Sequence, residues 1–247
     1  MAEFKIEIAG QVAAVTSMFE STRDYCRCYL SQREPDFSVT VFPEDLTFEQ
    51  DMADEEARVE GFKRRKFTDP FLERTAIQRK IAEQLFDSNV LVFHGSTIAV
   101  DGEGFLFTAK SGTGKSTHTR FWRETFGDRA VMVNDDKPFL KIEPDRILAC
   151  GAPWSGKHGL DTNVTVPLRG ICILERGAEN VIRRAEPREV LFMLLQQSNR
   201  PLNPEKMGKY MDLVDAVSRN VPLWHMNCNL DPDAARVAWE GMTGRKL

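Results

Sequence analysis

The sequence has no apolar run near the ~20 residues that a membrane-crossing helix needs, so no membrane partner is expected. It is also short of cysteine: 5 in 247 residues, an odd number with irregular spacing. Cys26 and Cys28 stand too close for the usual zinc knuckle and have no second pair, which argues against a metal ribbon or a disulfide framework. That usage predicts a reduced, cytoplasmic protein. Excess positive charge is missing as well. The 33 Lys and Arg face 37 Asp and Glu, a net charge of -4, and no nucleic-acid partner is expected of so mildly acidic a chain. There is no internal repeat, low-complexity tract or evident linker. Acids in the opening residues and the absence of a long apolar segment predict no secretory leader.

What is present is an ordinary globular composition, 42% hydrophobic and 28% charged. Phe4, Ile6 and Ile8 alternate with Lys5 and Glu7 and predict a half-buried strand over residues 3 to 9. Residues 11 to 30 mix apolar and polar positions, with a helix expected over 18 to 30. Phe37, Val39 and Val41 alternate again, and Pro43 stops that strand. The acidic stretch 48 to 58 reads as a solvated helix. The basic run 61 to 67 reads as an exposed loop or strand edge, or as a docking patch for an acidic partner. Pro70 opens a helix over 71 to 86. Residues 1 to 88 therefore read as an α/β lead-in, and 89 to 247 as the module that carries the chemistry.

That module begins at His94. Thr97-Ile98-Ala99-Val100, then Asp101-Gly102-Glu103-Gly104, then Phe105-Leu106-Phe107 can only reverse the chain into an antiparallel hairpin. The second arm runs into Ala109-Lys110-Ser111-Gly112-Thr113-Gly114-Lys115-Ser116-Thr117 and a helix over 117 to 126. This is a phosphate-binding loop placed on a hairpin strand. Gly112 and Gly114 let backbone N–H groups turn inward on phosphates. The helix that follows presents its positive end. Ser111, Thr113 and Thr117 complete the cradle. Lys115 reaches the β- and γ-phosphates, and Ser116 offers a hydroxyl to a phosphate-bound Mg²⁺. Ala109 takes the place of the motif's first glycine.

Ala130-Val131-Met132-Val133 predicts a buried strand ending at Asn134-Asp135-Asp136. Paired carboxylates there suit a turn or a helix cap. They also supply what a kinase needs, one for the metal and one to take the acceptor's proton. His94, carried back toward the loop by the hairpin, is a candidate metal ligand, proton acceptor or phosphate contact. Structural roles are expected for His118, His158 and His225. The stretch 151 to 159, with Trp154 and Lys157, has the look of a substrate loop. Lys157 and Arg169 are candidates to neutralise charge on a transferring phosphoryl, or are surface charges. Strands are expected at 139 to 142, 147 to 150, 171 to 174 and 222 to 226. Helices are expected at 187 to 195, 204 to 217 and 231 to 239.

Four features in order carry a resemblance: His94-Gly95 before the Ala-Val-Asp-Gly hairpin, the loop from Ser111 to Thr117, Asp135-Asp136, and Arg169-Gly170 before an apolar strand. Over residues 90 to 176 the chain resembles the HPr kinase/phosphorylase and phosphoenolpyruvate carboxykinase superfamily of P-loop proteins. The resemblance implies an α/β fold, a mixed β-sheet with the loop on the second strand of a hairpin. It also implies that His94 and one of Asp135 and Asp136 lie around the metal and the γ-phosphate. The expected function is an ATP-dependent phosphotransferase that uses Mg²⁺, with Mn²⁺ as the alternative. Ser116, Asp136 and His94 are its candidate metal ligands. The acceptor would be a hydroxyl, a serine of a protein or peptide or a small alcohol. A carboxykinase-type lyase and a non-catalytic nucleotide-binding regulator are the alternatives. Oligomeric state is left open.

Overall fold

A computed structural model describes residues 1 to 110 and 112 to 247, the side chain of Glu60 apart. The chain divides into two compact units, Met1–Ser88 and Asn89–Leu247.

In the first unit, β1 (Ala2–Ile8) and β2 (Gln11–Ser17) form an antiparallel hairpin. Its turn residues Ala9 and Gly10 both take positive φ. Residues 11 to 17 are thus a strand, and the helix expected over 18 to 30 shrinks to α1 (Glu20–Tyr25). The alternating apolar face of β1 needs a paired neighbour, and buried Ala13 and Val15 supply it opposite Ile6 and Phe4. After α1 the chain returns as β3 (Phe37–Thr40), parallel to β2.

The acidic helix is longer than its charge pattern suggested, α2 (Pro43–Glu60). Pro43 both ends a strand and opens a helix, because its fixed φ suits the first helical position. Asp45 accepts the Phe42 N–H at 2.9 Å and satisfies the entry. The run 62 to 66 is exposed, as expected. Gln50 holds it to α2 through the Arg65 carbonyl and the Phe67 N–H. α3 (Asp69–Phe86) buries Ala76, Ile77, Ile81 and Leu85 completely, on one helical face.

The second unit is built on a nine-stranded sheet. Its strands are β4 (Val90–Val92), β5 (Ser96–Val100), β6 (Glu103–Thr108), β7 (Ala130–Asn134), β8 (Phe139–Ile142), β9 (Ile147–Cys150), β10 (Thr165–Arg176), β11 (Val181–Arg184) and β12 (Leu223–Cys228). The order is β4-β8-β9-β10-β6-β5-β7, with β12 paired to β10 and β11 to β12. β6 and β12 run parallel to β10, and the other pairings are antiparallel, so the sheet is mixed. The expected hairpin is present: β5 and β6 pair from Ser96↔Phe107 to Val100↔Glu103 across Asp101 and Gly102, both at positive φ.

β10 is far longer than the apolar stretch that predicted it. It pairs with β9 as far as Pro167, then with β6 from Leu168 and with β12 from Ile171. Proline lacks the N–H a continuing ladder would use, and it sits where one pairing ends.

The helices are α4 (Lys115–Phe126), α5 (Pro187–Gln197), α6 (Met207–Asn220) and α7 (Asp233–Thr243). Residues 204 to 206 form a 3-10 turn before α6. α7 starts later than expected because Asp231 accepts the Asp233 N–H at 2.9 Å, outside the helix. Phe105 and Phe107 of β6 pack on Trp122 of α4, each pair of ring centroids 5.1 Å apart; Trp239 of α7 lies 6.0 Å from Trp122. This aromatic cluster fixes α4, and with it the loop that leads into α4. Among the described residues, no helix is long and apolar enough to cross a membrane.

Candidate functional site

The glycine-rich loop joins the end of β6 to α4. Gly112 and Gly114 take φ of 75° and 122°, which side-chain-bearing residues adopt only under strain. Gly114 is the N-cap of α4 and, among the described residues, no side chain caps the first-turn N–H groups. The first turn of α4 carries no acid. Ala109 is fully buried and its φ is not positive, so the position calls for a small residue rather than for glycine. Lys115 Nζ rests 3.2 Å from the Ala109 carbonyl. Burial pulls the Lys115 pKa below its ordinary value, with Asp136 and Asp135 acting in the opposite sense. Ser111 lies outside the described residues.

β5 is antiparallel to both β6 and β7, so its start lies level with their ends: Ser96 faces Phe107, and Thr97 faces Asn134. This register brings Lys115, Asp135, Asp136 and His94 to one end of three adjacent strands. Asn134 is fully buried and organises the turn. Its side-chain oxygen accepts the N–H groups of Asp136 and Lys137 at 2.8 and 2.6 Å. Its amide donates to the carbonyls of Ala152 and Trp154. The two aspartates that follow differ. Asp135 is 6% exposed and accepts the Ser96 hydroxyl at 2.6 Å; that hydroxyl lies 2.9 Å from Thr119 Oγ1 on α4. The side chain of Asp136 is 35% exposed, and its Oδ1 lies 3.4 Å from His94 Nε2. Burial alone would raise the Asp136 carboxyl, but the His94 contact and the charges of Lys137 and Lys115 outweigh it and hold the pKa below the usual value.

His94 is fixed by its backbone. Its N–H donates to the Gln197 carbonyl at 2.6 Å, and its carbonyl accepts the Thr108 hydroxyl at 3.0 Å. Gly95 donates to the Asp136 carbonyl at 3.0 Å. A Cβ on Gly95 would meet Leu106 Cδ2 at 2.9 Å and the Phe107 carbonyl at 3.1 Å, so the chain hugs β6 here.

The remaining candidates divide. Gly156 packs against Asp136, a Cβ there falling 3.2 Å from Asp136 Cβ, which sets the short helix Gly156–His158 and its Lys157 beside the aspartates. Trp154 is 6% exposed and packs near Phe139, so it is core rather than a substrate-facing group. Arg169 is not brought to the loop. It pairs with Glu103 at 3.0 Å, at the start of β6, about 17 Å of strand from the end at Thr108. Seven residues along the same strand, Arg176 donates to the Gly112 carbonyl at 2.6 Å. Arg176, Ser96 and Thr119 join these contacts, and nothing in the sequence pattern singled them out. Asn134 had a visible signal, an Asx residue where a strand turns. His118 is 3% exposed in the core, and His225 lies 3.3 Å from Glu175.

Among the described residues no group of three or more His, Cys, Asp or Glu forms a ready metal cage. Mg²⁺ keeps several waters and binds through one or two carboxylates together with phosphate oxygens. Ser116 and the Asp135-Asp136 pair fit that manner of binding.

No family model matches the chain, and no curated protein matches it in sequence. Among solved structures it is similar to the Hpr(Ser) kinase/phosphatase from Coxiella burnetii, at 14% identity and a TM-score of 0.29, over 52% of this chain and 88% of that one. At that level the functional reading rests on the chain's own residues.

Proposed function

We propose that the chain is an ATP-dependent phosphotransferase that moves the γ-phosphate onto a hydroxyl of a protein, a peptide or a small alcohol. The observation that carries this reading is the convergence of Lys115 with the His94–Asp136 pair at one end of β5, β6 and β7. A loop that only binds a nucleotide has no need of a solvent-reaching carboxylate paired with a histidine beside its lysine.

The loop N–H groups and the start of α4 hold the phosphates, and Lys115 meets the β- and γ-oxygens. Ser116 and one of the two aspartates would hold Mg²⁺, which would supply positive charge against the phosphates. Asp136 is the better placed to act as base, being the more exposed of the pair and ionised at neutral pH. It takes the proton of the acceptor hydroxyl as that oxygen bonds to the γ-phosphorus. The bond from phosphorus to the β,γ-bridging oxygen breaks, and ADP leaves with the electron pair. Asp135 is locked by Ser96 and through it to Thr119, which ties α4 to the turn. Lys157 is the second-rank candidate for stabilising charge on the phosphoryl group.

The test is incubation with ATP, Mg²⁺ and acceptor pools. Lys115→Ala and Asp136→Asn should each lower phosphoryl transfer by about 10²- to 10³-fold, the scale of losing one electrostatic or general-base contribution. Transfer at the wild-type rate by both variants overturns the assignment.

A further inference from the structure

A cavity of about 660 Å³ opens on the side of the loop away from the aspartates. It is walled by Gly114, His118 and Phe121 on one side and by Arg176, Cys228 and Leu230 on the other. Building on the phosphotransferase reading, we infer that this cavity holds the nucleoside of the phosphoryl donor, with a flat heteroaromatic base lying between Phe121 and Leu230.

Position is the first argument. β6 carries the loop and has β5 on one edge and β10 on the other. The His94–Asp136 pair belongs to the β5 and β7 side. The cavity belongs to the β10 and β12 side, and the loop glycines form part of its wall. A phosphate chain laid on the loop with its reacting end toward Asp136 directs its other end into the cavity. The volume falls within the range of small-molecule sites, about 300–1,000 Å³.

Chemistry is the second. No carboxylate lines the cavity, and Arg176 is its one charged wall residue among those described. Leu230 is 79% exposed, a large apolar side chain left for a ligand to cover. The turn that presents it is built in advance. Asn229 donates from its side chain to the Ala178 carbonyl at 2.9 Å, and the Asn229 N–H donates to Asn180 Oδ1 at 3.0 Å. A polar reader is also fixed. The Trp122 indole N–H donates to His118 Nε2 at 3.2 Å, and an indole nitrogen can only donate. His118 therefore carries its ring proton on Nδ1, which has no partner among the described residues. It is a donor available to a ring nitrogen or carbonyl of a base. Arg176 closes the set, holding the loop through the Gly112 carbonyl while lining the cavity.

The experiment compares ADP with inorganic tripolyphosphate, which has the phosphates and no nucleoside. Cys228→Trp fills the cavity. Its ADP affinity should fall roughly tenfold or more, with tripolyphosphate affinity unchanged. In the wild-type chain, which needs no variant to fold, ADP should slow alkylation of Cys228 by iodoacetamide, read by peptide mass spectrometry, and tripolyphosphate should not. Undiminished ADP affinity in Cys228→Trp, or Cys228 alkylation indifferent to saturating ADP, overturns the nucleoside assignment. The phosphotransferase reading survives that result if Lys115→Ala still loses tripolyphosphate binding. If the wild type binds neither compound, both readings fall.

Discussion

Two inward carboxylates, one in each unit, are held in opposite ways. Glu73 of the first unit is fully buried on α3 and accepts from the Met18 and Phe19 N–H groups and the Thr22 hydroxyl. Those donors pin the start of α1 and leave the carboxylate nothing else to do. Asp136 of the second unit is a third exposed, faces a histidine across 3.4 Å and has two lysines near enough to lower its pKa. The first is saturated by fixed donors, and the second by groups that exchange protons or meet anions. A buried carboxylate becomes a candidate for chemistry through the lability of its partners and its access to solvent, not through burial.

That contrast is open to breakage. The largest effect is expected in the second unit's aromatic core. Trp122→Ala should cost about 3–5 kcal/mol, because a fully buried ring is lost from the cluster that fixes α4. Denaturant unfolding checks it, and nucleotide binding should fail along with stability. Next comes a paired comparison. Glu73→Gln leaves backbone N–H groups facing an amide in place of a carboxylate, and should cost about 1–3 kcal/mol of stability. Transfer per folded molecule should be unchanged. Asp136→Asn should show the reverse, transfer lost and melting temperature nearly kept. If the two signatures were exchanged, the distinction drawn here would be wrong.

Acidity sharpens the comparison further. Burial has pulled the Lys115 pKa down, so the ammonium that phosphate binding requires is lost at a lower pH than for an exposed lysine. Tripolyphosphate affinity should therefore fall on the alkaline side before pH 10.5, and Lys115→Arg should remove that limb. In the first unit, Asp45 resists the rise that burial would bring. Lys80 hydrogen-bonds it at 2.7 Å, Arg79 adds charge, and together they hold its pKa below the ordinary 3.8. A depressed carboxyl contributes stability that is present above its unfolded pKa and lost as pH falls through its folded value. Lys80→Met should thus cost up to about 1 kcal/mol more at neutral pH than once Asp45 is protonated, where only the Lys80 bond to the Thr40 carbonyl and its contact with Phe42 are lost. The smallest effect is expected at Arg169. Its Glu103 pair is exposed and lies far along β6 from the loop, so Arg169→Ala should leave transfer within about twofold of wild type. Arg176→Ala, by contrast, should weaken nucleotide binding.

Much of the local geometry around the candidate site was legible because it is written in turn chemistry. Asp101-Gly102 specifies a two-residue reversal, Gly112 and Gly114 take the positive φ a tight loop needs, and Asn134 announces the turn that carries both aspartates. The strand at 11 to 17 was not legible. Its pattern fits a helix edge as well as a strand, and pairing with β1 decides between them. The exchange of Arg169 for Arg176 was hidden for a similar reason. Both lie on β10, and only the register against β6 tells which end stands beside the loop.

The sequence by itself determined the hairpin, the loop with its lysine, and the aspartates at a strand end, since each depends on residues within a few positions of one another. The tertiary structure alone decided that His94 reaches Asp136, that Ser96 and Thr119 lock Asp135, that Trp154 belongs to the core and that β10 turns Arg176 rather than Arg169 toward the loop. Those pairings join residues far apart in the chain, and strand order and register, which no local pattern encodes, set them.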